Sequence, residues 1–301
     1  MTAKAVLFAS LILLCLYFAV RWVVLERRGL RARSQGRWLP SGGHVAIGFV
    51  TNFLDMLGIG SFASTTSLFK FSRTVDDEDI PGTLNVGHTF PTLAEALISI
   101  ALVTVDMKTL VTMIAAAVAG AYLGAGVVAR WPKRKIQIGM GVLLFAAATI
   151  IAVRQLKLVP GGTAIGVDGA MLGLAVAGNF VLGALMTLGI GLFAPCMILI
   201  SALGMNPKTA FPIMMGSCAF LMPVASLRFV GTGRYNLRAA LGLTVGGVPA
   251  VLIAFRLVKE LPPRAMQWLV VAVVIYTAIA MLRSASRSRA VTELESSRDL
   301  S

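Results

Sequence analysis

LGIGSFA, Leu57 to Ala63, returns as LGIGLFA, Leu188 to Ala194, about 130 residues later. Each phrase sits inside a long apolar segment, His44 to Phe71 and Ala170 to Ser201. As one continuous helix the first segment would run about 42 Å, against a hydrocarbon core of about 30 Å. Glycines at positions 58, 60, 189 and 191 fall mid-segment, where they interrupt a helix and allow tight reversal. Each segment is therefore expected to enter the membrane and turn back. The alternative is a single span in which small residues let neighbouring helices pack closely.

The surrounding composition is that of an integral membrane protein. Of 301 residues, 57% are hydrophobic and 13% charged, and the mean hydropathy is +0.85. The net charge of +14 would suggest a nucleic-acid partner in a soluble protein, but the basic clusters Glu26 to Arg37 and RWPKRK, Arg130 to Lys135, flank apolar runs and lack interleaved aromatics beyond a tryptophan at each membrane edge. They read as topology signals, with no nucleic acid implied. The first apolar run, Ala5 to Leu25, is read as a retained helix rather than a cleaved signal, because it passes directly into arginines without a small-residue cleavage site. Cys15, Cys196 and Cys218 all lie in apolar runs, which suggests neither a disulfide framework nor a metal motif.

With two hairpins, the full spans are Ala5 to Leu25, Leu84 to Val103, Leu110 to Val128, Ile136 to Val153, Ala210 to Leu227, Ala239 to Phe255 and Ala265 to Leu282. This arrangement collects more lysine and arginine on one side than a single-span reading does. It places the amino terminus outside and the carboxyl terminus in the cytoplasm of a bacterial-type plasma membrane. The repeat continues beyond the glycine phrase: VDMKTL, Val105 to Leu110, aligns with YNLRAA, Tyr235 to Ala240. An odd number of spans per unit turns the second unit upside down. The expected fold is an all-α polytopic membrane protein of two inverted repeats, each a glycine-broken hairpin plus three transmembrane helices, after one extra helix. The parts are residues 1–43, repeat 1 over 44–168, repeat 2 over 169–283, and a serine-rich, disordered cytoplasmic tail over 284–301.

Broken helices at matching positions of inverted repeats point to a transport site near the midplane. A hairpin tip leaves backbone N–H groups unpaired at the start of its returning helix, and these attract anions. The candidate substrate-binding residues at the tips are Gly58, Gly60, Ser61 as helix cap, and Thr65, with Gly189, Gly191 and Cys196 in the second repeat. Structural packing accounts for Thr65 and Cys196 equally well.

The phrases NFLDMLGIGSFA, IPGTLNVGHTFPTLAEA, LGALMTLGIGLFAPC and NPKTAFPIMMGSCAF, with duplicated units of a hairpin plus three spans, resemble the TauE/SafE family of membrane permeases from about His44 to Arg283. The resemblance implies transport of small anions, typically sulfite, sulfonates such as sulfoacetate, or related sulfur compounds. The family's glycine run at the hairpin is thinned here to GIG.

Polar residues inside spans are costly and are default site candidates. Asn85, His88, Thr92 and Glu95 form one helical stripe, and Pro91 between them frees a carbonyl that can face a ligand. In the second repeat the register of His88 is held by Ser217, and Asn85 and Ser217 join the tip residues as candidate substrate-binding positions. Asp55, His88 and Glu95 are the candidates for proton coupling. The alternatives are a histidine bonded to a backbone carbonyl, a helix-cap role for Asp55, and a Glu95 that neutralises Arg228 or Lys70 or sits in water at the membrane edge. A secondary carrier of small anions, working in the bilayer without a cofactor or a metal, is the expected function. A membrane scaffold is the rival reading. An intramembrane enzyme is less well supported, because no nucleophile phrase, HExxH or aspartate pair is present. The oligomeric state is not legible.

Overall fold

The computed structural model describes residues 3–32, 39–57, 60–124, 162–186 and 192–260, together with 272, 275 and 279. The RWPKRK loop, the expected spans over 136–153 and 265–282, and the tail lie outside these residues. So do Gly58, Gly189 and Gly191.

Among the described residues the regular structure is helical, apart from one isolated bridge. The helices are α1 (Ala3–Ala32), α2 (Gly42–Met56), α3 (Ser61–Ser72), α4 (Ile80–Leu102), α5 (Met107–Ala119, extended by a π turn over Gly120–Gly124), α6 (Gly169–Met186), α7 (Phe193–Ala202), α8 (Ala210–Thr232) and α9 (Leu237–Glu260). Among the described residues four stretches are long and apolar enough to cross a bilayer: Ala3–Arg28, Gly169–Met186, Pro207–Thr232 and Leu237–Leu257. Helix α4 has 23 residues, about 34 Å of helix, but its apolar character is diluted by its polar stripe. It starts at Ile80, four residues before the expected boundary, with Pro81 in its first turn.

Both glycine phrases break a helix. In the first, α2 ends at Met56 and α3 starts at Ser61 after Gly60 at φ 81°. A straight helix would separate His44 from Phe69 by about 37 Å, yet their rings meet edge to face at 5.9 Å. The chain therefore reverses. In the second, Gly178 of α6 lies against the Leu199 side chain of α7, and the segment is closed at its base by the Ala164–Met205 bridge. It too folds back on itself.

The connections gather at two ends. At the near end, Arg234 pairs with Glu78 at 2.7 Å, the Asn236 N–H donates to the Thr83 hydroxyl, and the Arg238 side chain reaches the Leu39 carbonyl. At the far end, Lys4 donates to the Ala101 carbonyl, Lys108 pairs with Asp168, and the Asn206 N–H donates to the Ala164 carbonyl. The first hairpin opens at the near end and the second at the far end.

Packing between these pieces rests on glycine. Helix α2 lies parallel to α9, where a Cβ at Gly246 would meet the Val45 carbonyl. Helix α6 lies parallel to α5, where a Cβ at Gly183 would meet the Ala117 carbonyl. Small residues allow this approach because lipid offers helices little hydrophobic gain from association. Helices α4 and α8 run antiparallel between these pairs, with Thr89 beside Ser226 and Gly216 beside Ile100. The helix starts are also matched: Asp106 caps α5 through the Thr109 N–H at 2.8 Å, and Asn236 caps α9 through the Ala239 N–H at 3.0 Å. These are aligned positions of VDMKTL and YNLRAA. The Thr109 N–H holds the Asp106 carboxyl below the usual carboxylate range.

Helix α1 is attached by Phe18 and Trp22: their rings stack on each other, Trp22 stacks on Phe90, and Phe18 meets Phe90 tilted. Trp22 Nε1 donates to the Tyr235 hydroxyl at 2.8 Å, and that hydroxyl donates to Glu26. Burial, reinforced by Glu26, holds the Tyr235 phenol well above its ordinary range, so it remains a donor at any physiological pH. Tyr235→Phe strands the indole N–H and removes a charge-assisted bond. It is expected to cost about 1–3 kcal/mol, read as a lowered melting temperature in detergent; an unchanged melt would mean that water replaces the hydroxyl.

Candidate functional site

The polar stripe of α4 is buried, as residues three and four apart on one helix face should be when that face meets other helices. His88 and Glu95 have no exposed surface, and Asn85 and Thr92 very little. Their roles differ. Asn85 donates to the Pro81 carbonyl and borders a largely apolar groove of ≈ 1460 Å³ between α1, α5 and α8, away from the hairpin.

His88 stands at the junction of α2, α3 and α4. Its Nδ1 lies 2.9 Å from Asn52 Oδ1, and its Nε2 lies 3.1 Å from Thr65 Oγ1. The Asn52 Nδ2 group is committed to the Gly48 carbonyl at 2.7 Å. Asn52 can thus only accept from the imidazole, which assigns the proton to Nδ1 and leaves Nε2 to accept from Thr65. The histidine is satisfied as a neutral ring by two side chains, not by the backbone carbonyl expected of a core histidine. Asn52 is a partner that spacing alone does not pick out.

The carbonyl freed by Pro91 belongs to Gly87. It accepts from the Thr244 hydroxyl of α9 at 2.8 Å, so it is closed to a ligand, contrary to the expectation. The second repeat has a parallel to the Asn52–His88 contact: Asn179 of α6 donates to the Ser217 hydroxyl at 3.1 Å and to the Met113 carbonyl at 2.7 Å. Ser217 itself donates to the Ile213 carbonyl.

At the first hairpin tip, Gly60 is the residue before the first turn of α3, and Ser61 is inside the helix rather than its cap. No side chain from Gly60 caps α3; instead the Ser61 backbone N–H and hydroxyl face the Asp55 carboxylate at the end of α2. Thr65, one turn further along, is buried against His88, as is the Phe62 ring. Asp55 is within electrostatic reach of Glu95. Neither Glu95 oxygen has a hydrogen-bond partner among the described residues. Lys70 pairs with Asp77 and Arg228 lies over the Tyr122 ring, so neither neutralises Glu95, and water at the membrane edge does not reach it.

The second hairpin approaches the same place with sulfur. The Cys218 thiol of α8 lies 3.6 Å from Met186 Sδ and within electrostatic reach of Asp55, Glu95 and Cys196. Phe62, Met186, Leu192 and Cys196 belong to one continuous buried cluster. Residues flanking both glycine phrases thus share one buried cluster, and the Cys218 thiol lies within electrostatic reach of both carboxyl groups. Such a site can hold a small oxyanion or a proton, since burial makes any unpaired charge there costly. Among the described residues no group of three or more metal-ligating side chains is present.

The model of a family described as sulfite exporter TauE/SafE matches residues 1–151, which include the first hairpin, His88 and Glu95. No curated protein and no solved structure matches the chain. With a glycine-broken hairpin, apolar helices of spanning length and a match over half its length, the chain belongs to the TauE/SafE family of membrane transport proteins.

Proposed function

We propose that this chain is a secondary carrier of a small sulfur-containing anion, such as sulfite or a sulfonate, built as two inverted repeats whose hairpin tips enclose the solute. The first tip carries this most directly: a helix start opened by a positive-φ glycine faces Asp55, and Asp55 is within electrostatic reach of Glu95, a fully buried carboxyl without a hydrogen-bond partner among the described residues. The inverted relation is supported by exchanged partners. The entering arm of each hairpin, α2 or α6, lies along a helix of the other unit, α9 or α5. The hairpins open at opposite ends, and Asn52–His88 in one unit is echoed by Asn179–Ser217 in the other.

The anion is placed by Gly60, Ser61 and Thr65 from the first tip and by Cys196 from the second. Asn85 and Ser217 support the surrounding helices. Proton coupling is assigned to the Asp55, His88 and Glu95 region. The sulfur wall suits a polarisable anion better than a strongly hydrated one. The lysine and arginine bias makes the near end cytoplasmic in a cell membrane.

Flux into proteoliposomes tests this. Radiolabelled sulfite, sulfate, thiosulfate and a sulfonate are offered with and without a pH gradient. Uptake of a sulfur anion above protein-free vesicles, enhanced by the gradient, is expected. Correctly inserted protein that moves none of the four would favour a scaffold.

A further inference from the structure

We propose that Asp55 is a stand-in for the transported anion: its carboxylate occupies the start of α3 in the empty carrier, and an incoming oxyanion displaces it as Asp55 takes up a proton. The inference rests on the carrier reading above and assigns the roles within its site.

The start of α3 is an anion position by construction, because its first backbone N–H groups have no partner within the helix. Twelve residues of helix stand behind it, and no side chain of the capping residue closes it. The structure places Asp55 there, with the Ser61 N–H and hydroxyl both directed at its carboxylate. The carboxylate is on the other side of the glycine break, at the end of α2, so movement about Gly60 can part the two.

Glu95 is the second, independent observation. It is fully buried, within electrostatic reach of Asp55, and neither oxygen is hydrogen-bonded among the described residues. An ionised carboxylate so placed would be expensive, whereas the neutral acid is a donor without an acceptor. An anion at the α3 start supplies that acceptor. Two carboxylates within electrostatic reach of each other and an anion beside them repel strongly in a buried site, so the anion enters with a proton that stays on Asp55. The balance is simple: one proton is taken up from solvent for each anion bound, no covalent bond changes, and both leave together on the other side.

The groups around Asp55 leave it this role. From α4 it is faced by Glu95 and from α8 by the Cys218 thiol, beyond which lies Cys196 of α7; His88 is bonded to Asn52, one turn before Asp55, and α9 meets α2 through Gly242, Gly246 and Gly247. His88 has both ring nitrogens committed, and the thiols lie against Met186 and the apolar cluster. Among the described residues no lysine or arginine reaches the site. The second tip has no acid in the corresponding place, so one exchange per cycle is the limit.

Thiosulfate and methanesulfonate serve as probes because neither changes charge between about pH 5.5 and 8.5. Binding to detergent-purified protein is followed by calorimetry, with proton exchange read from a pH indicator in weak buffer. For the wild type, about one proton should be absorbed per anion bound at the alkaline end, and affinity should fall about tenfold per pH unit there. Asp55→Asn should bind without proton uptake, at least tenfold more tightly than the wild type at the alkaline end, and with no pH slope. Glu95→Leu, which removes the donor, should lose at least tenfold in affinity at all pH values.

Because proton uptake is read on the unaltered protein, the test survives a variant that does not fold. Anion binding by the wild type without proton uptake overturns the proposal while leaving the carrier intact. So does an Asp55→Asn protein with the wild-type slope. If the wild type neither binds nor transports either probe, the carrier reading falls and this inference falls with it.

Discussion

Replacing Gly60 by leucine should abolish anion flux while leaving the protein folded and inserted. The expectation follows from an unusual separation of strain from crowding. Gly60 has φ 81° and ψ 121°, a region that side-chain-bearing residues rarely adopt, yet a Cβ there would meet no atom within 4 Å. The substitution therefore costs about 1–3 kcal/mol of backbone strain and little packing. The chain can escape that strain only by rotating toward negative φ, which re-aims the start of α3. Ser61 then loses its place opposite Asp55, and Thr65 its bond to His88. Flux should fall by at least about a hundredfold, the equivalent of roughly 2.7 kcal/mol in a rate-limiting step. Size-exclusion behaviour should be that of the wild type. Gly43→Leu is the control, since Gly43 has open space around it and no positive φ. Normal flux through Gly60→Leu would remove the first hairpin tip from the transport site.

The largest loss of stability is expected from Gly183→Leu and Gly246→Leu. At Gly183 the new Cβ would fall on the Ala117 carbonyl of α5, and at Gly246 on the Val45 carbonyl of α2. Both obstacles are helix backbone, which cannot rotate away as a side chain can. The paired helices must separate, and the adjoining contacts of Asn179 with Met113 and of Gly247 with Asn52 are lost with them. Overpacking against flexible neighbours costs about 1–3 kcal/mol, and against two backbones the upper end or more is expected. Either variant should give little monodisperse protein in detergent. Gly173→Leu, on the same helix as Gly183 but facing open space, should express and melt as the wild type does. Wild-type melting of Gly183→Leu or Gly246→Leu would mean that these helix pairs do not carry the fold.

Much of this protein is legible from sequence because membranes make local patterns decisive. Where water is absent, backbone groups must be satisfied within the helix, so apolar length marks helices and a doubled GIG marks their breaks. The matched caps Asp106 and Asn236 were visible as an alignment of two short phrases, and the burial of His88 and Glu95 as one stripe on α4. Charge bias in the loops could be read the same way.

Partner choice could not be read locally, because it is made by residues distant in the chain. Pro91 announces a freed carbonyl, but only the approach of α9 reveals that Thr244, 157 residues from Gly87, fills it. His88 and Glu95 look alike as buried ionisable groups seven residues apart. Tertiary packing gives His88 a partner at each nitrogen and leaves both oxygens of Glu95 with none among the described residues. Ser61 reads as a helix cap, yet the fold brings Asp55 to that place from across the turn. The sequence by itself determined that the chain lies in a membrane, where its helices break and which polar residues they bury. Only the tertiary structure decided which of those residues are satisfied, because a hydrogen bond needs its partner within about 3 Å, and helix packing alone sets that distance.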